Sequence, residues 1–146
     1  YLILFSSELE FKLKNKIKMN KLIIDAVNEK IFLMIITSNN IYNTSYDNTK
    51  INYEKLTEII SEFLISYNLK ITDISRIYIN TGPGSFAGIR NSLSIVKAFN
   101  IAKKIDYYCY SLDDFKGEID VRYENIPDLC DKFKIKKNLI NPIYIS

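Results

Sequence analysis

Few side chains in this sequence are suited to catalysis or metal binding, because its 146 residues include no histidine. Histidine is the commonest general base near neutral pH and the commonest ligand of transition metals. Catalytic triads and dyads that use histidine, and histidine-based zinc sites, are therefore excluded. The two cysteines, Cys109 and Cys130, do not have a known metal-binding spacing. We expect both to be reduced thiols, buried or incidental, which suits a reducing cytoplasm.

The remaining candidate for chemistry is the glycine-rich segment 82–90, which reads Gly-Pro-Gly-Ser-Phe-Ala-Gly-Ile-Arg. It follows an apolar run and precedes a helical pattern, a position at which backbone amides can bind an anion. However, the segment lacks the lysine of a P-loop, and its glycine spacing is one residue longer than the dinucleotide-binding fingerprint. Two interpretations stay open: a phosphate site, or a tight turn in which Gly88 allows close helix packing.

The pattern around this segment predicts a single α/β lobe. Apolar runs at 22–27 and 31–37 and an alternating run at 41–46 predict three antiparallel strands. Apolar residues at helical spacing over 53–67 and 85–103 predict two amphipathic helices, with Asn52 as the cap of the first. Runs at 74–80 and 105–110 predict two more strands. The resulting order, βββαβαβ, is that of the ribonuclease-H-like lobe found in actin-like (ASKHA) proteins.

The residues after this lobe are too few for a second lobe of the same kind. Ser111 and Asp114 have the spacing of a capping box, which predicts a short helix that ends near Gly117. We expect an N-terminal extension at 1–18, the lobe at 19–115, and at 116–146 a second-lobe remnant with a short C-terminal tail. The apolar run at 1–5 is too short for a signal-peptide core or a membrane span.

Segment 82–90, the helix after it and the run 110–112 resemble the signature of the TsaB (YeaZ) family. Members of this family are bacterial accessory subunits in the synthesis of threonylcarbamoyladenosine in tRNA. Ala87 is the one departure within the nine-residue motif, where the family has Thr. The resemblance covers about 19–115, and 141–145 is similar to the tail that closes family members. The second lobe of the family is then largely missing between Gly117 and Asn138.

The resemblance implies a non-catalytic scaffold. TsaB-like proteins bind and activate TsaD, a related catalytic subunit that holds a metal through histidines, and the ATPase TsaE joins that complex. By this resemblance the chain binds no cofactor, and ATP and metal belong to the partner subunits. We further expect tRNA to be contacted only through the complex, a possible homodimer in isolation, and no membrane attachment.

The resemblance also implies roles for individual residues. Phe86 is expected to anchor the loop to the core, and the two predicted helices are expected to bind the partner. Arg90 is the candidate polar contact with the partner or with a nucleotide, with a solvated surface arginine as the alternative. Ile65 lies off the apolar stripe of its helix and is the candidate apolar contact. Five residues are expected to shape the loop and the helix start: Gly82, Pro83, Gly84, Ser85 and Gly88.

Other functions remain open, namely a small actin-like nucleotide-binding protein or enzyme, or a decayed copy without function. Against nucleotide binding, Asp25 at the end of the first strand is followed by Ala26, whereas actin-like sites usually have Thr or Ser there. The net charge of +3 is low for a nucleic-acid clamp. The lysines at 132–137 predict a solvated surface, with contact to tRNA as the alternative.

Overall fold

The computed structural model describes residues 19–140, which form a mixed five-stranded sheet of order β3-β2-β1-β4-β5. The strands are β1 Asn20–Asp25, β2 Lys30–Ile36, β3 Ile41–Asp47, β4 Ile74–Asn80 and β5 Asp106–Tyr110. β1, β2 and β3 pair antiparallel, and β4 pairs parallel with both β1 and β5. The predicted ribonuclease-H-like lobe with the order βββαβαβ is confirmed. The predictions for 1–18 and 141–146 lie outside the described residues.

Two helices, rather than the predicted one, connect β3 to β4. They are α1, Lys50–Glu54, and α2, Leu56–Ser66, with a break at Lys55. The predicted cap at Asn52 is wrong, because the side chain of Thr49 accepts a hydrogen bond from the backbone N–H of Asn52 at 3.2 Å. Thr49 therefore provides the cap, three residues before the predicted position.

The long helix α3, Phe86–Lys103, connects β4 to β5 and packs with α2 on the first face of the sheet. Strand side chains alternate between the two faces, so every second strand residue points toward these helices. The core on this face contains Leu22, Ile24, Leu33, Ile35, Leu56, Ile60, Phe63, Leu64, Ile77, Ile79, Leu93 and Val96.

The second face of the sheet is covered by the chain after β5. A 3-10 turn at Leu112–Phe115 begins with the predicted capping box, in which the N–H of Ser111 donates to the carboxyl of Asp114 at 2.8 Å. A second 3-10 turn, Tyr123–Asn125, leads into α4, Ile126–Lys132. The core on this face contains Ile23, Met34, Tyr78, Tyr108, Tyr110, Phe115, Ile126, Leu129 and Cys130.

This packing includes much of the segment 116–146, for which the sequence predicted a second-lobe remnant and a tail. Residues 126–133 lie directly on the sheet of the first lobe. Whether the segment derives from a second lobe stays a prediction. Within 19–140, no helix combines the length and the apolar character needed to cross a membrane.

Candidate functional site: the glycine loop and the two edges of the sheet

The glycine-rich loop lies between the end of β4 and the start of α3, and its backbone groups bond to the chain itself. The N–H of Gly82 donates to Oδ1 of Asn80 at 2.9 Å, and the hydroxyl of Ser111 donates to the carbonyl of Gly82 at 2.7 Å. The N–H of Ser85 donates to the carbonyl of Val27 at 2.9 Å. Because these N–H groups are used inside the chain, they are not offered to an anion.

Ser85 ends the loop and caps α3. Its Oγ accepts a hydrogen bond from the N–H of Gly88 at 3.3 Å and lies 2.8 Å from the hydroxyl of Tyr53 on α1. The cap thus satisfies one free N–H of the helix and also holds α1 beside α3.

Two glycines of the loop lie against the turn between β1 and β2. A Cβ at Gly88 would stand 1.9 Å from the carbonyl oxygen of Ala26, and one at Gly84 would stand 2.5 Å from that of Val27. Any other residue would force the helix away from the turn. Together with the internal hydrogen bonds, this close approach favours the tight-turn interpretation over a phosphate site. Gly82 has φ of 110°, which also favours glycine.

Phe86 does not anchor the loop to the core, so that prediction is wrong. Its side chain is 59% exposed, and the guanidinium carbon of Arg90 lies 5.5 Å from the centre of its ring. Arg90 is exposed as well. The pair forms an outward-facing cation–π contact on the first turns of α3. An exposed aromatic ring next to an arginine is a combination enriched in protein interfaces.

Ile65 is exposed, as its position off the apolar stripe predicted. Its side chain is 63% accessible and lines a mainly apolar groove of about 310 Å³ between α2 and α3. Phe99 of α3 and Leu69 also line this groove. Arg90 and Phe99 are nine residues apart, which corresponds to roughly 14 Å along a helix axis. The structure therefore places Ile65 and Arg90 at opposite ends of the helix pair.

A buried polar cluster occupies the edge of the sheet where β1 and β4 end. Asp25 is 3% exposed, and its carboxyl accepts hydrogen bonds from Nδ2 of Asn80 at 3.1 Å and from the hydroxyl of Tyr123 at 2.9 Å. Burial is the main cause of the raised pKa of Tyr123, and the neighbouring carboxyl of Asp25 raises this pKa further. The ring of Tyr123 stacks on Phe32 with 4.0 Å between centroids.

Sequence analysis had no signal for Tyr123, which is 98 residues from Asp25 along the chain. Asn80 could have been found, because the carboxyl ends of neighbouring parallel strands are where polar site residues gather. These groups border a cavity of about 400 Å³ that also includes the buried side chain of Tyr110. In the described part of the chain the Tyr110 hydroxyl has no hydrogen-bond partner, and burial raises its pKa.

The two cysteines are free and buried, as expected, and they lie on opposite faces of the sheet. Burial raises the pKa of Cys109 and of Cys130 to about 12. Both thiols therefore stay protonated near neutral pH and have little nucleophilic character. Among residues 19–140, no group of three or more acidic or cysteine side chains is arranged to hold a metal ion.

The family model of TsaD, tRNA N6-adenosine threonylcarbamoyltransferase, matches residues 50–111. That range begins with α1 and ends just after β5, so it contains the glycine loop and all three helices of the first face. No curated protein matches the sequence.

The fold is similar to that of YeaZ from Pseudomonas aeruginosa, with a TM-score of 0.59 at 16% sequence identity. The alignment covers 64% of this chain and 44% of that chain. A second structure, of a P. aeruginosa protein with similarity to peptidase YeaZ, gives the same TM-score and identity and covers 64% and 43%. The chain thus spans less than half the length of these two structures.

The match of residues 50–111 to the TsaD family and the shared fold with YeaZ together make this chain similar to the TsaB (YeaZ) family over part of its length.

Proposed function

We propose that this chain is a non-catalytic accessory subunit that binds and activates a TsaD-like catalytic subunit, which threonylcarbamoylates adenosine in tRNA. The family match supports a role in tRNA modification, because TsaD is the threonylcarbamoyltransferase of that reaction. In this proposal a TsaE-like ATPase joins the assembly, and ATP and metal are held by the partner subunits.

The observation that carries the proposal is the apolar groove between α2 and α3. Ile65 and Phe99 line it, and Ile65 is 63% exposed although it belongs to an otherwise well-packed helix. Contiguous exposed apolar surface on a small domain is typical of a protein interface. The same surface would favour self-association when no partner is present.

Two features support a non-catalytic role. The sequence has no histidine, so it cannot supply the metal ligands expected of the catalytic relative. The buried carboxyl of Asp25, at the edge where related folds bind ligands, is already bonded to Tyr123 and Asn80. A nucleotide at this edge would have to displace the chain's own tyrosine.

The test is co-purification with a TsaD-like catalytic subunit, using Ile65→Glu. A charge desolvated in the groove should weaken binding by about a hundredfold or more. The matched control is Ile119→Glu, the same change at a side chain that is 100% exposed and outside the helices of the first face. Circular dichroism should show both variants folded, and the control should bind as the parent chain does.

Equal binding by Ile65→Glu and the parent chain would show that the groove is not the interface. Activation is measured separately, as threonylcarbamoyladenosine formed by the catalytic subunit with and without this chain. A chain that neither binds nor activates would correspond to a copy without function. An independent nucleotide-binding protein would instead bind ATP in a direct titration, and that binding should be lost in Asp25→Asn.

A further inference from the structure

Four cations from three elements converge at the opposite edge of the sheet, where the parallel strands begin. Lys21 comes from β1, Arg76 from β4, and Lys103 and Lys104 from the end of α3. They line an open cleft of about 570 Å³. Asp131 of α4 is the one carboxylate among its lining residues.

The two strand cations are direct neighbours. Lys21 and Arg76 are register partners on parallel strands, so their side chains project from the same face of the sheet. Like charges in neighbouring positions repel, so this arrangement costs stability unless an anion relieves it. Within the described range, no carboxylate forms an ion pair with Lys21, Lys103 or Lys104.

The nearby carboxylates do not neutralise the cleft. Asp131 stands 4.0 Å from Arg76, at the limit of an ion pair, and both side chains are substantially exposed. Asp106, the register partner of Arg76 on β5, is already bonded by Nδ2 of Asn138 at 2.9 Å and lies 3.7 Å from Nζ of Lys137. The cleft therefore keeps an excess of positive charge.

A simpler role exists for two of the cations. Lysines at the end of a helix stabilise its partial negative charge, and Lys103 and Lys104 occupy that position on α3. That role does not account for Lys21 of β1. The guanidinium carbon of Arg76 lies 5.8 Å from the centre of the Tyr108 ring, a contact that holds the side chain but does not neutralise its charge. The convergence of all four on one cleft indicates an anionic ligand.

We propose that this cleft binds the phosphodiester backbone of RNA. The lining side chains offer charge and the hydroxyl of Thr72, whereas the hydroxyl of Ser75 already donates to the carbonyl of Asn20 at 3.0 Å. The lining includes no aromatic ring on which a base could stack. Such a set of groups contacts phosphates and does not read sequence. The choice of RNA rests on the proposed function, whereas the anionic character of the ligand does not. This inference goes beyond the expectation that tRNA is contacted only through the complex.

The experiment is a titration of the full chain with a fluorescent single-stranded oligouridylate, repeated over a series of salt concentrations. Four phosphate contacts predict a slope of log K against log salt of roughly −3. The double variant Lys103→Gln/Lys104→Gln should reduce the size of the slope by about half, to roughly −1.5, and weaken binding at low salt by about tenfold or more. An oligomer of the same sequence with an uncharged backbone should not bind.

The matched control is Lys50→Gln/Lys55→Gln, which removes the same charge from two exposed positions, the first residue of α1 and the residue just after its end. Tyr53 of α1 contacts the glycine loop, so this helix lies toward the other edge of the sheet. The control should leave the slope unchanged. Equal slopes for both double variants would contradict the proposal, as would a lower melting temperature of Lys103→Gln/Lys104→Gln with an unchanged slope.

Failure of this proposal is distinguishable from failure of the proposed function. The Lys103→Gln/Lys104→Gln variant should still co-purify with the TsaD-like subunit, because the groove lined by Ile65 and Phe99 is not altered. If RNA binding depends on the lysines but the chain does not bind the catalytic subunit, the accessory role is contradicted. The proposal of an RNA-binding cleft would still be supported by that result.

Discussion

Asp25 is a buried carboxyl group whose hydrogen bonds join distant parts of the chain. Its carboxyl accepts hydrogen bonds from the side chains of Asn80 and Tyr123. A third hydrogen bond comes from the backbone N–H of Val27, which donates to Oδ1 of Asp25 at 3.2 Å. A buried carboxyl group is tolerated when donors satisfy its oxygens. The hydrogen bond from Tyr123 therefore holds the segment after β5 against the end of β1.

Removing this hydroxyl should destabilise the protein. We expect Tyr123→Phe to lower the free energy of unfolding by about 1–3 kcal/mol, because Asp25 would lose one of its donors. The measurement is urea unfolding followed by circular dichroism.

Tyr110→Phe is the matched control. It removes a hydroxyl on a more deeply buried tyrosine, one that lacks a partner among the described residues. Its loss should change the free energy of unfolding by less than about 0.5 kcal/mol, or should stabilise the protein. Equal losses in the two variants would show that the bond between Tyr123 and Asp25 contributes nothing.

At the level of the elements, α3 lies directly on the turn between β1 and β2. The buried positions of α3 include Gly88 and Ser92 beside Ile89, Leu93 and Val96. The hydroxyl of Ser92 donates to the carbonyl of Gly88 at 2.7 Å, so even the polar member of this face is satisfied inside the helix. Small residues allow the helix to approach the turn more closely than large side chains would.

A single methyl group should disturb this contact. We expect Gly88→Ala to lower the free energy of unfolding by about 3 kcal/mol, because its Cβ would collide with the backbone of Ala26. The matched control is Gly117→Ala, at which nothing lies within 4 Å of the new Cβ. Since Gly117 has φ of 90°, the control should cost about 1 kcal/mol of backbone strain. The measurement is the melting temperature of each variant. Equal decreases for Gly88→Ala and Gly117→Ala would contradict the proposed role of this close contact.

The position of α3 also explains which elements could be predicted from sequence. The apolar pattern predicted the strands and the helix correctly, because large side chains on the sheet and the helix must face each other. The same pattern placed Phe86 in the core, because it does not count Gly88 and Ser92 as buried positions. Including them turns the buried face so that Phe86 falls at its margin.

Less of the candidate site than of the fold could be predicted, because only its local contacts can be read from the sequence. The glycine loop is local in sequence, so its turn and its cap could be anticipated from Ser85 and Gly88. The bond between Tyr123 and Asp25 and the convergence of Lys21 with Arg76 depend on tertiary packing and strand register. No short-range pattern specifies contacts of that range.

For the molecule as a whole, the sheet is covered on both faces, and each cover comes from a different part of the chain. The helices of 50–103 cover the first face, and residues 112–133 cover the second. A sheet with an uncovered apolar face does not form a stable domain in water. Both covers are therefore required for folding, although the family match ends at residue 111.

Two truncations test this requirement. A chain that ends at Lys116 loses Ile126, Leu129 and Cys130, which are nearly fully buried on the second face. Their loss removes about 5 kcal/mol or more of burial free energy, comparable to the whole stability of a small domain. It also exposes Tyr78 and Tyr108 of the sheet, so this chain should aggregate or melt without cooperativity.

A chain that starts at Met19 should behave differently. The first described strand begins at Asn20, so this chain keeps all five strands of the sheet and their pairings. We therefore expect its melting temperature to lie within a few degrees of that of the full chain. Circular dichroism melts and size-exclusion chromatography of both truncations provide the measurement. A cooperative, monomeric chain ending at Lys116 would show that the first face suffices. A large drop for the chain starting at Met19 would show that residues 1–18 contribute to folding, because the sheet would then depend on contacts that 19–140 do not contain.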